Sequence, residues 1–231
     1  MTTDERLRRL HRATAGLGTD ADRARLLVER VRAGVLSPER VRLAAAFGHR
    51  VACLAVGGRA PVEDVGALAD LDLGPEARAR VALAAARVAL AAAGKGTDLA
   101  RVHAGLTEWV RSGGRTPPPS EPRRKVLCVK FGKGVPATYR SCYADGENLA
   151  RYLARVATED AEAREDLRRV ANGARRWATG EVAALARERG EWTEWWTEAG
   201  PAATRAVTDA VRREVVPWAL GEADPLARPD R

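Results

Sequence analysis

The sequence predicts a mainly α-helical protein, either a multi-helix bundle or a short array of helical repeats, with a small β-hairpin insertion. Apolar residues make up 45% of the 231 residues and are mostly Ala, Leu and Val, with only two Phe. That composition is typical of closely packed helices with small contact residues. The apolar residues recur at helical spacing over most of the chain. One stretch, VLCVKFGKGV at 126–135, alternates instead and predicts a strand followed by a turn.

The N-terminal part of the sequence contains clear helix starts and ends. Thr19 is a good cap for a helix that Gly34 would end. SPER at 37–40 supplies a Ser cap, a proline at the first helical position and an acidic residue in the first turn. A similar start, LGPEARARVALAAA, follows at 73–86, at a spacing found in helical repeats, although two ordinary proline-led helices also explain it. The predicted helices of this part are 4–15, 19–33, 37–47, 49–56, 75–93 and 97–111.

A proline-rich stretch, SGGRTPPPSEP at 112–122, is the best candidate for a domain boundary. Consecutive prolines cannot continue a helix and favour an extended backbone. The strand that follows needs a partner, because a lone strand leaves its backbone edges unpaired. VPATYRSCY at 135–143 is the expected hairpin mate, across a turn at 132–134. Helices then resume at 145–157, 159–178, 181–189 and 201–220.

These boundaries divide the chain into four predicted parts. They are an N-terminal helical subdomain at 1–111, a Pro-rich basic linker with a hairpin at 112–144, a C-terminal helical subdomain at 145–221, and a flexible polar tail at 222–231.

The net charge of +8 is concentrated in one part of the chain. Residues 111–140, the basic segment, hold eight Lys or Arg against the single acid Glu121. Such cations neutralise phosphates, and neighbouring aromatic rings stack on bases. A solvated linker that maintains solubility is the alternative interpretation. The expected contacts with nucleic acid or another acidic partner are Arg123, Arg124, Lys125, Lys130, Lys133, Arg140 and Tyr139.

A tryptophan cluster, defined as Trp192, Trp195 and Trp196, lies in EWTEWWTEAG at 191–200. On a helix these rings are spread too widely to be buried on one face. Tryptophan is favoured at the centres of protein interfaces, so we predict that the cluster, together with Phe131, contacts a partner protein. The alternative is that the rings anchor a core that is otherwise poor in large side chains.

Other candidate sites are weaker. FGKG at 131–134 lacks the spacing and the Lys-Ser/Thr pair of a phosphate loop. Cys128 and Cys142 flank the predicted turn, either as a redox pair or as two ordinary half-buried thiols. The three histidines are isolated, and the sequence contains no legible zinc ligand set and no nucleophile paired with a base. We therefore predict no metal, no cofactor and no enzymatic activity.

Length and hydropathy favour a cytoplasmic protein. No apolar run approaches the roughly 18 residues that a membrane-spanning helix needs. The opening MTTDERLRRLHR has no apolar core of a secretory signal, and three cysteines are too few for a disulfide framework.

Two stretches carry a resemblance to a known group of proteins. RLLVERVRAGVLSPERVRLAAAFGHRVACLAVG at 25–57 and VRREVVPWALG at 211–221 resemble the two ends of Ala/Arg-rich helical proteins from GC-rich bacteria. That group is uncharacterised in function and is distantly similar to helical immunity proteins of polymorphic toxin systems. The resemblance covers about a third of the chain and contains no catalytic motif. It implies a helical scaffold and protein binding in bacterial conflict or defence. The Pro-rich, basic part at 115–150 departs from the group's Ala-rich helical middle.

The sequence thus predicts a non-enzymatic, cytoplasmic protein that binds another macromolecule. A partner protein of a bacterial conflict or defence system is the first expectation. Nucleic acid bound through the basic segment is the alternative.

Overall fold

A computed structural model describes residues 3–14, 18–58, 61–93, 97–126, 130, 133, 137–158, 162–179 and 192–227. Within these residues the protein is mainly α-helical, which confirms this part of the predicted fold class. The helices are α1 (Thr3–Thr14), α2 (Asp20–Arg32), α3 (Pro38–Ala46), α4 (Arg50–Ala55), the 3-10 helix η1 (Val65–Asp70), α5 (Pro75–Ala93), α6 (Asp98–Arg111), α7 (Ala137–Glu147), α8 (Leu149–Arg155), α9 (Ala163–Ala178) and α10 (Trp192–Leu220).

The chain folds into two compact units. Unit 1 consists of Met1–Val62 and Arg212–Pro225, and unit 2 consists of Glu63–Val211 and Leu226–Arg231. Helices α5 and α6 belong to unit 2, and the end of the chain belongs partly to unit 1. The predicted subdomains at 1–111 and 145–221 stay predictions.

Unit 1 is built on the predicted helix caps. Thr19 and Asp22 form a reciprocal capping box at the start of α2. Ser37 accepts a hydrogen bond from the Arg40 N–H, with Pro38 at the first position of α3. Helix α2 contacts α1 and α4, and α3 contacts α4. The C-terminal segment is tied to this unit because the Arg212 Nε donates to the Phe47 carbonyl at 2.9 Å.

Helix α9 lies at the centre of unit 2. It contacts α5, α7, α8 and η1. Its buried residues Leu167, Val170, Ala171 and Ala174 recur at helical spacing. Helix α5 is an Ala-rich helix whose residues from Val81 to Ala86 are all buried, as expected for a helix covered on several sides.

The predicted β-hairpin is not seen. No strand occurs in the part of the chain that the structure describes. The expected return strand is wrong from Ala137 onward, where α7 begins. Cys142, Asp145, Gly146 and Leu149 are buried at helical spacing, so packing against α9 overrides the β propensity of the neighbouring aromatic residues. Much of the first predicted strand, RKVLCVKF at 124–131, lies outside the described residues, at 127–129 and 131.

Several predicted boundaries differ from the structure. Helix α10 begins at Trp192 and passes through Pro201, rather than starting at that proline. Helix α9 begins at Ala163 rather than at 159, and the Thr158 hydroxyl donates to the Arg155 carbonyl. The predicted helix at 181–189 lies outside the described residues.

The C-terminal tail is anchored as far as Leu226. This side chain is buried, and its carbonyl accepts a hydrogen bond from the Arg111 Nε at 2.8 Å. Among the helices described here, none combines the length and the apolar character that crossing a membrane requires.

Candidate functional site

The proline-rich part of the basic segment is docked on unit 2. Residues 115–126, which we call the strap, are free of helix. Ser120 accepts a hydrogen bond from the Arg101 Nη1 of α6 at 3.3 Å. Glu121 forms an ion pair with Arg151 of α8. Helix α6 carries Gly105 beneath Pro119, and a Cβ atom at this glycine would lie 2.9 Å from the proline Cβ. The missing side chain lets the strap lie directly on the helix.

Asn148 clamps the end of the strap. The Lys125 N–H donates to the Asn148 Oδ1 at 3.0 Å, and the Asn148 Nδ2 donates back to the Lys125 carbonyl at 3.4 Å. Asn148 is buried where α7 gives way to α8, and its side chain makes no cap hydrogen bond to α8. The Asn148 Nδ2 also donates to the Ala144 carbonyl of α7 at 3.1 Å, so the side-chain amide ties the strap backbone to α7 and fixes where the adjacent cations emerge.

The cations of the strap and of the turn beyond it face solvent. We call them, together with Arg140, the basic surface: Arg123, Arg124, Lys125, Lys130, Lys133 and Arg140, all of which are exposed. Lys125 has Glu147 at 4.0 Å. The other five form no ion pair with a carboxylate in the part of the chain that the structure describes. By contrast, Arg155 and Arg175 in the same unit are paired with Asp166 and Asp64.

A cation and two aromatic rings adjoin the basic surface. Arg140, Tyr143 and Glu147 are spaced to share one stripe of α7. The Arg176 guanidinium lies 4.7 Å from the Tyr143 ring centroid and 4.4 Å from that of Trp177, and its Nη2 donates to the Glu147 Oε1 at 2.9 Å. Both rings are half-buried. The stack places a planar cation and two aromatic rings next to Lys125, because both Arg176 and Lys125 lie beside Glu147.

A buried polar network holds α7 in place behind this surface. Asp145 accepts hydrogen bonds from the Asn172 Nδ2 at 3.0 Å and from the Ser141 hydroxyl at 3.5 Å. Arg175 donates to Asn172 and to the Asp64 Oδ2, the latter at 2.6 Å. Burial raises the pKa of Asp145 to about 6, although Asn172 and nearby Arg169 oppose the shift.

The cysteines show no sign of redox chemistry where they are described. Burial raises the pKa of the Cys142 thiol to about 11, despite the positive charge of Arg175 nearby. A neutral thiol of this kind is a poor nucleophile and a packing residue. Cys128 lies outside the described residues, so its pairing with Cys142 stays a prediction.

His49 and His103 have structural surroundings. The His49 Nδ1 accepts the Ala52 N–H and caps α4. Burial, reinforced by Arg87, lowers the pKa of His103 to about 4, so this ring is neutral at physiological pH. No group of side chains suited to hold a metal ion occurs within the described ranges.

Several predicted site residues cannot be placed in full. Phe131 lies outside the described residues. The backbone of Tyr139 is in α7 and that of the tryptophan cluster opens α10, but their side chains are not described. The structure adds residues that sequence reasoning missed, chiefly Asn148, Arg176 and Trp177. In the sequence, only the spacing between Arg140 and Tyr143 could indicate that Tyr143 adjoins the basic surface. Its contact with Arg176 could not be inferred, because Arg176 comes from a different helix.

No protein-family model, curated protein or solved structure matches this chain. The resemblance to the Ala/Arg-rich helical group therefore stays a prediction. Its two stretches, 25–57 and 211–221, fall in unit 1 almost entirely, whereas the basic surface belongs to unit 2.

Proposed function

We propose that this chain is a non-enzymatic binding protein whose basic surface takes the phosphate backbone of a nucleic acid. One observation carries the proposal: five exposed cations, Arg123, Arg124, Lys130, Lys133 and Arg140, have no carboxylate partner among the described residues, in a protein whose other arginines are commonly paired. Unpaired exposed cations attract a polyanion and release its counterions on contact.

The docking of the strap supports this function. A cation on a free linker loses conformational entropy when it binds, whereas the Asn148 clamp already fixes the backbone of Lys125. The half-buried rings of Tyr143 and Trp177, stacked on Arg176, lie beside this surface and supply aromatic groups of the kind on which bases stack. Single-stranded nucleic acid suits this combination best, because its bases are free to stack.

The salt dependence of binding tests the proposal. Fluorescence anisotropy would follow a labelled single-stranded and a labelled duplex oligonucleotide from low to physiological salt. Each phosphate that a protein cation neutralises adds about 0.7–0.9 to the slope of log affinity against log salt. Replacing Lys125, Lys130 and Lys133 by Gln should therefore flatten this slope by up to about 2–3 units.

A matched control removes the same charge elsewhere. Arg23, Arg25 and Arg50 are exposed in unit 1 and paired with aspartates. Their replacement by Gln should leave most of the slope intact. Binding that ignores salt, or that both triple variants weaken equally, would rule out a role for the basic surface.

A partner protein bound at the tryptophan cluster is the second candidate. Helix α10 begins at Trp192, so all three tryptophans occupy its first two turns. A Trp195→Ala or Trp196→Ala variant should then lose the partner in a pull-down while its far-ultraviolet circular dichroism is unchanged. Loss of helical signal in these variants would assign the rings to the core.

The same proposal includes the remaining expectations. The protein acts in the cytoplasm, without cofactor or metal, and a partner from bacterial conflict or defence fits the resemblance of 25–57 and 211–221. The proposed function involves no catalytic residues.

A further inference from the structure

Unit 1 contains a cationic groove between α1 and α2. Its volume is about 760 Å³, which lies within the range of small-molecule sites. The groove is lined by Leu7, Arg8, His11, Arg12, Arg30 and Val35. Among these described lining residues none is acidic, and four are basic.

The sequence of α1 explains why the cations converge. Leu7 and His11, and Arg8 and Arg12, are each four residues apart, so all four lie on one stripe of the helix. The stripe therefore presents two guanidinium groups and an imidazole to the groove.

Arg30 completes the groove from α2 and is held in position. Its Nη1 donates to the Leu220 carbonyl at 2.8 Å. Gly221 leaves room for it, since a Cβ atom at this glycine would lie 2.7 Å from the Arg30 Nη2. Holding a guanidinium before a ligand arrives lowers the entropic cost of binding.

Val35 contributes apolar surface to the lining of the groove. Gly34, at φ 70°, reverses the chain after α2, and the Val35 N–H then donates to the Arg30 carbonyl at 2.9 Å. The Val35 side chain stays 59% exposed. With Leu7 it offers apolar surface to the organic part of a ligand.

We propose that this groove binds a small phosphate-bearing molecule of about nucleotide size. Three arginines supply planar forks of N–H donors that match phosphate oxygens in pairs, and their charge calls for a dianion rather than a single carboxylate. The site lies in unit 1 and is independent of the nucleic-acid surface proposed for unit 2.

Isothermal titration calorimetry of the full chain at physiological salt tests the proposal. The probes are inorganic pyrophosphate, ADP, and vesicles of phosphatidylcholine with and without phosphatidic acid. Each is titrated into a chain that carries Lys125→Gln, Lys130→Gln and Lys133→Gln, which reduces the contribution of the basic surface in unit 2. Binding of pyrophosphate or ADP assigns the site to a free phosphate compound, and binding of the phosphatidic acid vesicles alone assigns it to a lipid headgroup.

Variants decide whether the groove is responsible. Arg12→Ala should weaken binding about tenfold or more, as expected for losing a hydrogen-bond donor to a charged group. Arg12→Lys should fall in between, because it keeps the charge and loses the fork. Arg25 is on α2 but does not line the groove, and its side chain is 74% exposed. Arg25→Ala should therefore bind the probe with the affinity of the parent. No heat with any probe, or equal losses in Arg12→Ala and Arg25→Ala, would overturn the proposal.

Discussion

At the scale of single residues, the buried carboxylates of unit 2 have the largest expected effects on stability. The Asp166 side chain is 1% exposed and accepts hydrogen bonds from the Arg155 Nε at 2.7 Å and Nη2 at 2.6 Å. These bonds raise the pKa of Arg155. Asp166→Asn should lower the free energy of unfolding by about 2–4 kcal/mol, because it removes the buried counter-charge of the guanidinium and leaves only the more exposed Glu162, at 3.3 Å. Urea unfolding followed by circular dichroism measures this.

A surface carboxylate on the same helix is the control for Asp166. Glu165 is 43% exposed and pairs with Arg168. Glu165→Gln should change the free energy of unfolding by less than about 1 kcal/mol. Similar losses in the two variants would mean that burial is not what makes the Asp166 pair matter.

Asp145 should make the free energy of unfolding depend on pH. Its pKa is about 6 in the folded protein and 3.8 as an ordinary aspartate. Between these values the folded state holds a proton that the unfolded state has released, so the free energy of unfolding falls as pH rises from about 4 to about 6. The loss has an upper bound of about 3 kcal/mol for a shift of this size.

Asp145→Asn isolates this contribution. The variant cannot release the proton, so its free energy of unfolding should exceed that of the parent increasingly from pH 4 to pH 6 and then run parallel to it. Urea unfolding at several pH values gives the difference between the two proteins, in which the other carboxylates cancel. A difference that is constant with pH would show that Asp145 does not titrate in this range.

At the scale of elements, capping residues in the sequence predicted where helices begin, whereas packing between helices determined the structure of residues 137–143. Thr19, Ser37 and Pro38 act on backbone groups within three residues of themselves, so their role can be inferred from sequence. Residues 137–143 look like a strand because of their tyrosines, but the burial of Cys142, Asp145 and Gly146 where α7 packs on α9 requires a helix. That requirement comes from residues more than 20 positions away, such as Gly173, which no local pattern reveals.

The strap yields a prediction at this scale. Asn148→Ala removes both side-chain hydrogen bonds to Lys125 and should release the end of the strap. Trypsin cleaves after Arg123, Arg124 and Lys125, and cleavage there should become several-fold faster, because proteolysis follows the population of locally open chain. Mass spectrometry of short digests identifies the cut sites.

A matched asparagine separates local release from general loss of stability. Asn172→Ala removes a hydrogen bond to Asp145 and does not touch the strap. It should leave the early cleavage at 123–125 unchanged relative to other sites. Equal acceleration in the two variants would argue against the clamp.

At the scale of the whole molecule, the sequence predicts the class of fold. Helical periodicity is a local property and gives a mainly α-helical protein. The pairing of Met1–Val62 with Arg212–Pro225 in unit 1 is a long-range property, and it depends on bonds such as those from Arg30 to Leu220 and from Arg212 to Phe47. The basic surface was predictable because charge is counted directly from sequence. Its support by Asn148 and Arg176 was not, because these residues reach it from other parts of the fold.

Unit 1 is formed by two separate stretches of the chain, so removing the second stretch should destabilise the first. A chain that ends after Val211 lacks the buried Trp218 and Leu220, and it loses the stacking of Arg40 on Trp218 at 4.3 Å. Removing large buried side chains costs about 2–5 kcal/mol each, which is comparable to the whole stability of a small domain. We therefore expect α2, α3 and α4 to lose protection from hydrogen exchange. Helices α5 and α9 should keep theirs, because the main contacts of both, among the described elements, are with helices that precede residue 212. A chain that ends after Leu226 is the control and should resemble the full protein. Protection of α2–α4 that survives the shorter truncation would mean that residues 1–62 fold without the C-terminal segment.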